Sequence, residues 1–131
     1  MNEPEWIQPN VAIAINHELI NMFGGLNSGI RDENLFLSAL ERPKNKWQYD
    51  NPKPSLFQLS AAYCYAITRD HPFIDGNKRT AYQVAYTFLG LNNFEHDTDD
   101  VDVVKIILLA SEGSLSETKL SEWFEKFARK L

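Results

Sequence analysis

A single cysteine, Cys64, in 131 residues means that no intrachain disulfide can form and no thiolate cluster can hold a metal. That usage fits a reducing compartment, and Cys64 itself reads as a small buried side chain, not a nucleophile. No apolar run approaches the ~18 residues of a membrane-spanning helix. Met1-Asn2-Glu3-Pro4-Glu5 is acidic where a secretory signal needs positive charge. The expectation is a cytoplasmic protein without membrane contact. Positive charge is scarce too: thirteen basic against eighteen acidic side chains leave a formal charge of −5. This argues against direct nucleic-acid binding and makes any basic site a local one. Internal repeats, low-complexity tracts and interdomain linkers are missing. What remains is 44% hydrophobic residues, 12% of the chain aromatic, a composition for one globular domain over residues 1–131.

Helical spacing dominates the chain. Ala12, Ile15, Leu19 and Met22 mark a helix over residues 10–23 that Gly24-Gly25 stop. Asp32 can cap a second helix to about Arg42, with Leu35, Leu37, Ala39 and Leu40 as apolar surface and Pro43 ending it. Residues 43–54 show no clear period and hold Trp47 and Tyr49 between charges and prolines, as a functional loop or a small hairpin would. Ser55 with Gln58 forms a capping box, and Leu56, Leu59, Tyr63, Ala66 and Ile67 carry an apolar stripe towards His71. Residues 77–92 have Ala81, Val84, Ala85, Phe88 and Leu91 on one face and Tyr82, Tyr86 and Leu89 elsewhere, as a central helix buried nearly all round would. A further helix covers residues 99–110. Ser114 with Glu117 boxes a last one, where Leu120, Trp123, Phe124, Phe127 and Leu131 form a core face. No other segment carries a strand signal, so the expected class is all-α.

Chemistry concentrates in His71-Pro72-Phe73-Ile74-Asp75-Gly76-Asn77-Lys78-Arg79, between two of these helices. Proline disfavours αR geometry in the residue before it, which places His71 at the end of its helix with the imidazole free to face a cleft. Gly76 and Asn77 suit a tight turn into a new helix whose unpaired N–H groups and dipole attract an anion, phosphate above all. Lys78 and Arg79 oppose that dipole by typically ~0.3–1 kcal/mol each, so something anionic should compensate them. The alternative is internal, an ion-pair cluster built on Asp75 and Arg79 at i,i+4 spacing with Asp70 nearby. Elsewhere, Glu95-His96-Asp97 with Asp99, Asp100 and Asp102 lacks the glycine and distal glutamate of a calcium loop and reads as acids at a helix start. His17 has no metal-spaced partner and reads as a surface or core-edge histidine.

Together with Phe23-Gly24-Gly25-Leu26, Gly29-Ile30-Arg31-Asp32, Ser38-Ala39-Leu40, Arg42-Pro43 and Phe88-Leu89 before Asn92, the HPFIDGNKRTA block resembles the Fic/Doc superfamily, and within it the Doc, or death-on-curing, toxins. The likeness spans nearly the whole chain and implies a Fido-type helical bundle. Adenylyltransferases of that superfamily typically carry glycine between the motif's Asn and Arg and a second arginine three residues after the first. Lys78 and Tyr82 stand there instead, as in the Doc branch. The resemblance therefore implies transfer of the terminal phosphate of ATP or another nucleoside triphosphate to a Ser or Thr hydroxyl, with elongation factor Tu as the target associated with that branch. AMP transfer and a catalytically silent phosphate-binding module are the alternatives.

On this resemblance His71 would be the general base and Asp75 the Mg²⁺ ligand. Gly76 and Asn77 would let donors approach the phosphates, and Lys78 and Arg79 would neutralise the transferred group. Residues 43–54 would correspond to the family's flap, an edge that receives the target chain by strand addition. Self-inhibiting relatives carry (S/T)xxxE(G/N). Here Thr118…Glu122-Trp123 and Ser121…Glu125-Lys126 lack the final Gly or Asn, which implies inhibition in trans by a cognate antitoxin, laid as an amphipathic helix beside the motif.

Overall fold

The computed structural model describes residues 2–131. Six helices and one two-stranded sheet follow in the order α1 (Pro9–Phe23), α2 (Glu33–Tyr49), α3 (Leu56–Asp70), α4 (Asn77–Leu91), β1 (Phe94–His96), α5 (Asp100–Ser111), α6 (Glu117–Lys126) and β2 (Ala128–Lys130). The all-α expectation holds, with the strands a small addition. None of the helices among the described residues is long and apolar enough to cross a membrane.

The capping box at α3 forms as its residues require: Ser55 Oγ accepts from Gln58 N at 3.1 Å and Ser55 N donates to Gln58 Oε1 at 2.8 Å. Behind it, Leu59, Ala61, Ala62, Tyr63, Cys64, Ala66 and Ile67 are all buried. Burial pushes the Cys64 thiol up to about 12, so it stays protonated, and pushes the Tyr63 hydroxyl to about 12 as well. Small alanines let α2, α4, α5 and α6 pack closely around α3, which therefore shares the centre with α4. Helix α4 buries Thr80, Ala81, Val84, Ala85, Phe88 and Leu89. It is not enclosed all round, because Leu91 is exposed and Tyr82 and Tyr86 only partly covered.

Helix α2 departs from expectation. It runs seven residues beyond Arg42, through Pro43, to Tyr49. An interior proline forfeits one hydrogen bond and crowds the carbonyl four residues back, about 3 kcal/mol or more in an exposed helix. Here Pro43 is buried in register with Phe36, Ala39 and Leu40, and Trp47 packs on the core one turn further. Burial on that continuous face offsets the proline. Of the flap at 43–54 only a short loop survives, with no strand or hairpin in it, so strand addition has no edge there. Trp47 lies on the body with Lys53 Nζ 4.7 Å over its ring, while Tyr49 points to solvent.

The two strands carried too little pattern to be expected. Asn93, at φ 73°, turns the chain out of α4 into β1, which pairs antiparallel with β2 in the register Phe94–Lys130, Glu95–Arg129 and His96–Ala128. Helix α6 consequently ends at Lys126, and Leu131 is exposed instead of completing a core face. Its cap is Ser116, accepting from Lys119 N at 3.1 Å, and not Ser114. Asp99 caps α5, and Asp102 accepts from Trp123 Nε1 at 2.8 Å and Thr98 Oγ1 at 3.0 Å, which ties α5 to α6. These roles use the acids around residue 100 structurally. No group of three metal-ligating side chains gathers among the described residues.

His96 is buried against Trp123 and Phe124, with ring centroids 4.4 and 4.9 Å away. Its Nδ1 meets the Tyr82 hydroxyl at 2.8 Å, and its Nε2 has no hydrogen-bond partner. Burial lowers its affinity for a proton below the ordinary 6.5. The unfolded chain then binds that proton first, so stability falls as pH drops from about 6.5 towards the depressed folded value. His96→Phe should flatten the dependence of melting temperature on pH between 7 and 5, roughly the window where an imidazole titrates. Equal slopes for variant and parent would exclude this origin.

Candidate functional site

The HPFIDGNKR segment leaves α3 through His71, whose φ of 50° and ψ of 56° are left-handed. Pro72 closes off αR for it, and αL is strained for a residue with a Cβ, by roughly 1–3 kcal/mol. Arg31 holds that turn in place: its Nε donates to the His71 carbonyl at 2.7 Å and its Nη2 to the Asp70 carbonyl at 3.0 Å. A cation on the last carbonyls of α3 also complements the helix dipole. Backbone pairing extends the clamp, with Arg31 N on the Pro72 carbonyl at 2.7 Å and Ile74 N on the Gly29 carbonyl at 2.9 Å. Phe73 is thereby fully buried, edge-on to Phe36. The imidazole stays exposed at the mouth of the cleft.

Asp75 is held from both ends. Its carbonyl accepts from Asn16 Nδ2 at 2.9 Å, while its carboxylate accepts from Leu26 N at 2.9 Å and Gly76 N at 2.7 Å. These backbone donors, first Leu26 and then Gly76, keep its carboxyl below the usual carboxylate range, with a smaller contribution from Arg79. Gly25 makes the approach possible: with φ of 152°, a Cβ there would sit 2.9 Å from Asp75 Oδ2 and 2.8 Å from Ile20 Cδ1. One member of the glycine pair that stops α1, Gly25, is thus also what lets Leu26 N reach the carboxylate.

Helix α4 starts at Gly76, left-handed at φ 71° and without a side-chain cap. Its first N–H groups are open to the cleft. The Asn77 side chain, expected to face phosphate, is occupied instead, bonding Phe73 N at 2.9 Å and the Phe73 carbonyl at 3.0 Å. It staples the loop shut and leaves the backbone to meet an anion. Neither Lys78 nor Arg79 belongs to an ion pair among the described residues, so the internal Asp75–Arg79 cluster does not form. Arg79 lies over the Phe23 ring at 4.8 Å.

His71, Asp75, Gly76, Asn77, Lys78 and Arg79 line one open cleft of about 540 Å³, with Ile74 on its wall. That volume is in the range of small-ligand sites. The donor set suits an anion chelating a hard cation: one ionised carboxylate with lone pairs to spare, free N–H groups and two unpaired cations. Mg²⁺ fits at Asp75, provided phosphate and water oxygens complete its shell. Of the two glutamates that match the self-inhibiting spacing, Glu122 pairs with Lys119 on its own helix at 3.3 Å and Glu125 is exposed. His17 is an exposed histidine bonded to Ser28 Oγ and Asn21.

The Fic/DOC family model matches residues 6–89, a stretch from the N-terminal segment through most of α4. A Toxin Doc of Mycolicibacterium smegmatis is 38% identical over 81 residues, 61% of this chain and 62% of that protein's length. The Protein kinase doc of Escherichia phage P1 is 30% identical over 116 residues, 88% of this chain and 90% of the relative. The chain belongs to the Fic/Doc family. Within this Fic/Doc fold the sequence reading named the groups that face the cleft but not those that position them.

Asn16 is the clearest omission. It lies on the apolar side of α1 at 0% exposure, where a single amide between Ile15 and His17 looks incidental. Its Nδ2 also donates to Thr80 Oγ1 at 3.1 Å, and its Oδ1 accepts from Gly29 N at 2.9 Å. Asn16→Leu keeps the branched shape without the amide and should cost about 1–3 kcal/mol for each buried group left unpaired. Chemical denaturation and amide exchange at Gly29 would measure it. Parental stability together with a protected Gly29 amide would refute the hub role.

Proposed function

We propose that this protein is a Doc-type toxin that transfers the terminal phosphoryl group of a nucleoside triphosphate to a Ser or Thr hydroxyl of a protein, with Mg²⁺ at Asp75. The observation that carries this reading over AMP transfer is Tyr82. Adenylyltransferases of the family place a second arginine at that position. Here the Tyr82 hydroxyl binds His96 Nδ1 at 2.8 Å, its ring stacks on Phe124, and burial pushes its ionisation far above the ordinary value. A side chain so engaged gives no second phosphate clamp, and Lys78 and Arg79 remain as the cations of the cleft.

The substrate hydroxyl would approach at the exposed His71, which takes its proton as oxygen attacks the terminal phosphorus and the bond to the nucleoside diphosphate breaks. Lys78, Arg79 and the first N–H groups of α4 would stabilise the charge on the transferred group. Bound Mg²⁺ would neutralise phosphate charge and fix its orientation. Elongation factor Tu is the target that the Doc resemblance suggests.

A cognate antitoxin would act in trans. Beside the cleft, Val103, Val104, Ile107 and Leu108 of α5 line a groove of about 310 Å³ whose rim is Lys78 and Arg79. An amphipathic helix with apolar anchors and acidic residues matches that lining and would cover the two cations.

Labelled ATP separates the two chemistries. Label at the γ position on the target supports phosphoryl transfer, label at the α position AMP transfer, and nucleotide binding with no covalent product a silent module. His71→Ala should stay folded and bind nucleotide while losing roughly 10²–10⁴-fold in transfer rate. It should also fail to arrest growth when expressed alone. A folded His71→Ala protein with undiminished transfer would eliminate the general-base assignment.

A further inference from the structure

Phe23, the last residue of α1, is 58% exposed and takes no part in the core, an uneconomical place for a phenyl ring. Its face carries the Arg79 guanidinium, whose central carbon is 4.8 Å from the ring centroid. We propose that Phe23 is a positioning residue that holds the Arg79 guanidinium ready for phosphate, an inference that rests on the phosphate-binding reading of the cleft.

The geometry gives the ring an advantage that a carboxylate partner lacks. A carboxylate would fix Arg79 by taking the same N–H fork that must reach phosphate oxygens. A ring fixes the plane of the guanidinium through its face and leaves the in-plane donors free. Arg79 accordingly has no carboxylate partner among the described residues, although Asp75 stands only four residues away. Ordering a long, exposed side chain before the ligand arrives also removes part of the entropy that binding would otherwise cost. The turn that follows Phe23 is itself anchored, because Leu26 N is bonded to the Asp75 carboxylate and Gly25 is pressed against it. Ring and carboxylate are thus fixed in one frame.

Titration calorimetry with Mg·ATP and, separately, with Mg·tripolyphosphate tests this on the parent, Phe23→Leu, Phe23→Trp, Arg79→Ala and the double variant Phe23→Leu with Arg79→Ala. Phe23→Leu should weaken both ligands by roughly two- to fivefold, the worth of an exposed cation–π contact, with the melting temperature unchanged. Phe23→Trp should bind both as well as the parent or better, and Phe23→Leu should have no further effect once Arg79 is gone. A loss confined to ATP would overturn the inference, since the ring would then be stacking the base. So would a loss that persists without Arg79, or parental affinity in Phe23→Leu. If Phe23→Leu lowers the melting temperature, Phe23→Trp decides alone, and weaker binding by it counts against the role. Arg79→Ala with both affinities intact would remove the phosphate reading itself, and is distinguishable from all of these.

Discussion

The site depends on one buried amide. Asn16 reaches out of α1 to three separate places, the Asp75 carbonyl, Thr80 on α4 and the amide of Gly29, and is itself sealed from water. A polar group so placed is costly unless every partner is present, and each partner is costly without it. The consequence is mutual: the loop after α1, the loop before α4 and the first turn of α4 adopt their geometry together. Asp75 shows the result. With its carbonyl and carboxylate both held, it has little freedom left, and the carboxylate keeps one orientation at the cleft.

Charge is organised on the same principle of local exception. The chain as a whole is acidic, yet two cations stand unpaired at the N-terminal turn of α4, where the dipole disfavours them. Surface pairs elsewhere, such as Arg42 with Glu117 or Arg129 with Glu95, neutralise their cations in the ordinary way. On the proposed phosphate reading, leaving Lys78 and Arg79 out of such pairs keeps the folded state slightly disfavoured there until an anion binds. A structural ion-pair network would remove that disadvantage and occupy the donors that the proposed phosphate contact needs.

How much of this was legible in the sequence follows from the range of each interaction. Most local signals were reliable: the Ser55–Gln58 box, the cap at Asp32, the stop at Gly24-Gly25 and the turn at His71-Pro72 each involve neighbours in the chain. So did the residues facing the cleft, because the motif gathers them into one short segment. One local signal misplaced its cap, at Ser114 instead of Ser116, and the other failures are tertiary. Pro43 reads as a stop until the buried face of α2 is seen to continue through it, and three-residue strands 32 residues apart, counted from His96 to Ala128, show no alternation to read. Asn16, Arg31 and Phe23 act on the motif from 40 to 59 residues away. Asn77 lies on the cleft as expected, but its side chain bonds Phe73 four residues back, a loop contact that the motif alone does not display.

Helix α1 also acts as a ruler. Asn16 grips Asp75 from the middle of the helix, and Phe23 and Leu26 reach the site from its far end, so the number of residues between them sets both distance and angle. One residue inserted there would turn everything beyond it by roughly 100° and advance it by about 1.5 Å. Apolar packing could absorb such a shift by sliding to a neighbouring side chain, but a carboxylate held by an amide and a guanidinium lying on a ring could not. The length of this stretch is therefore constrained by chemistry that takes place on other helices.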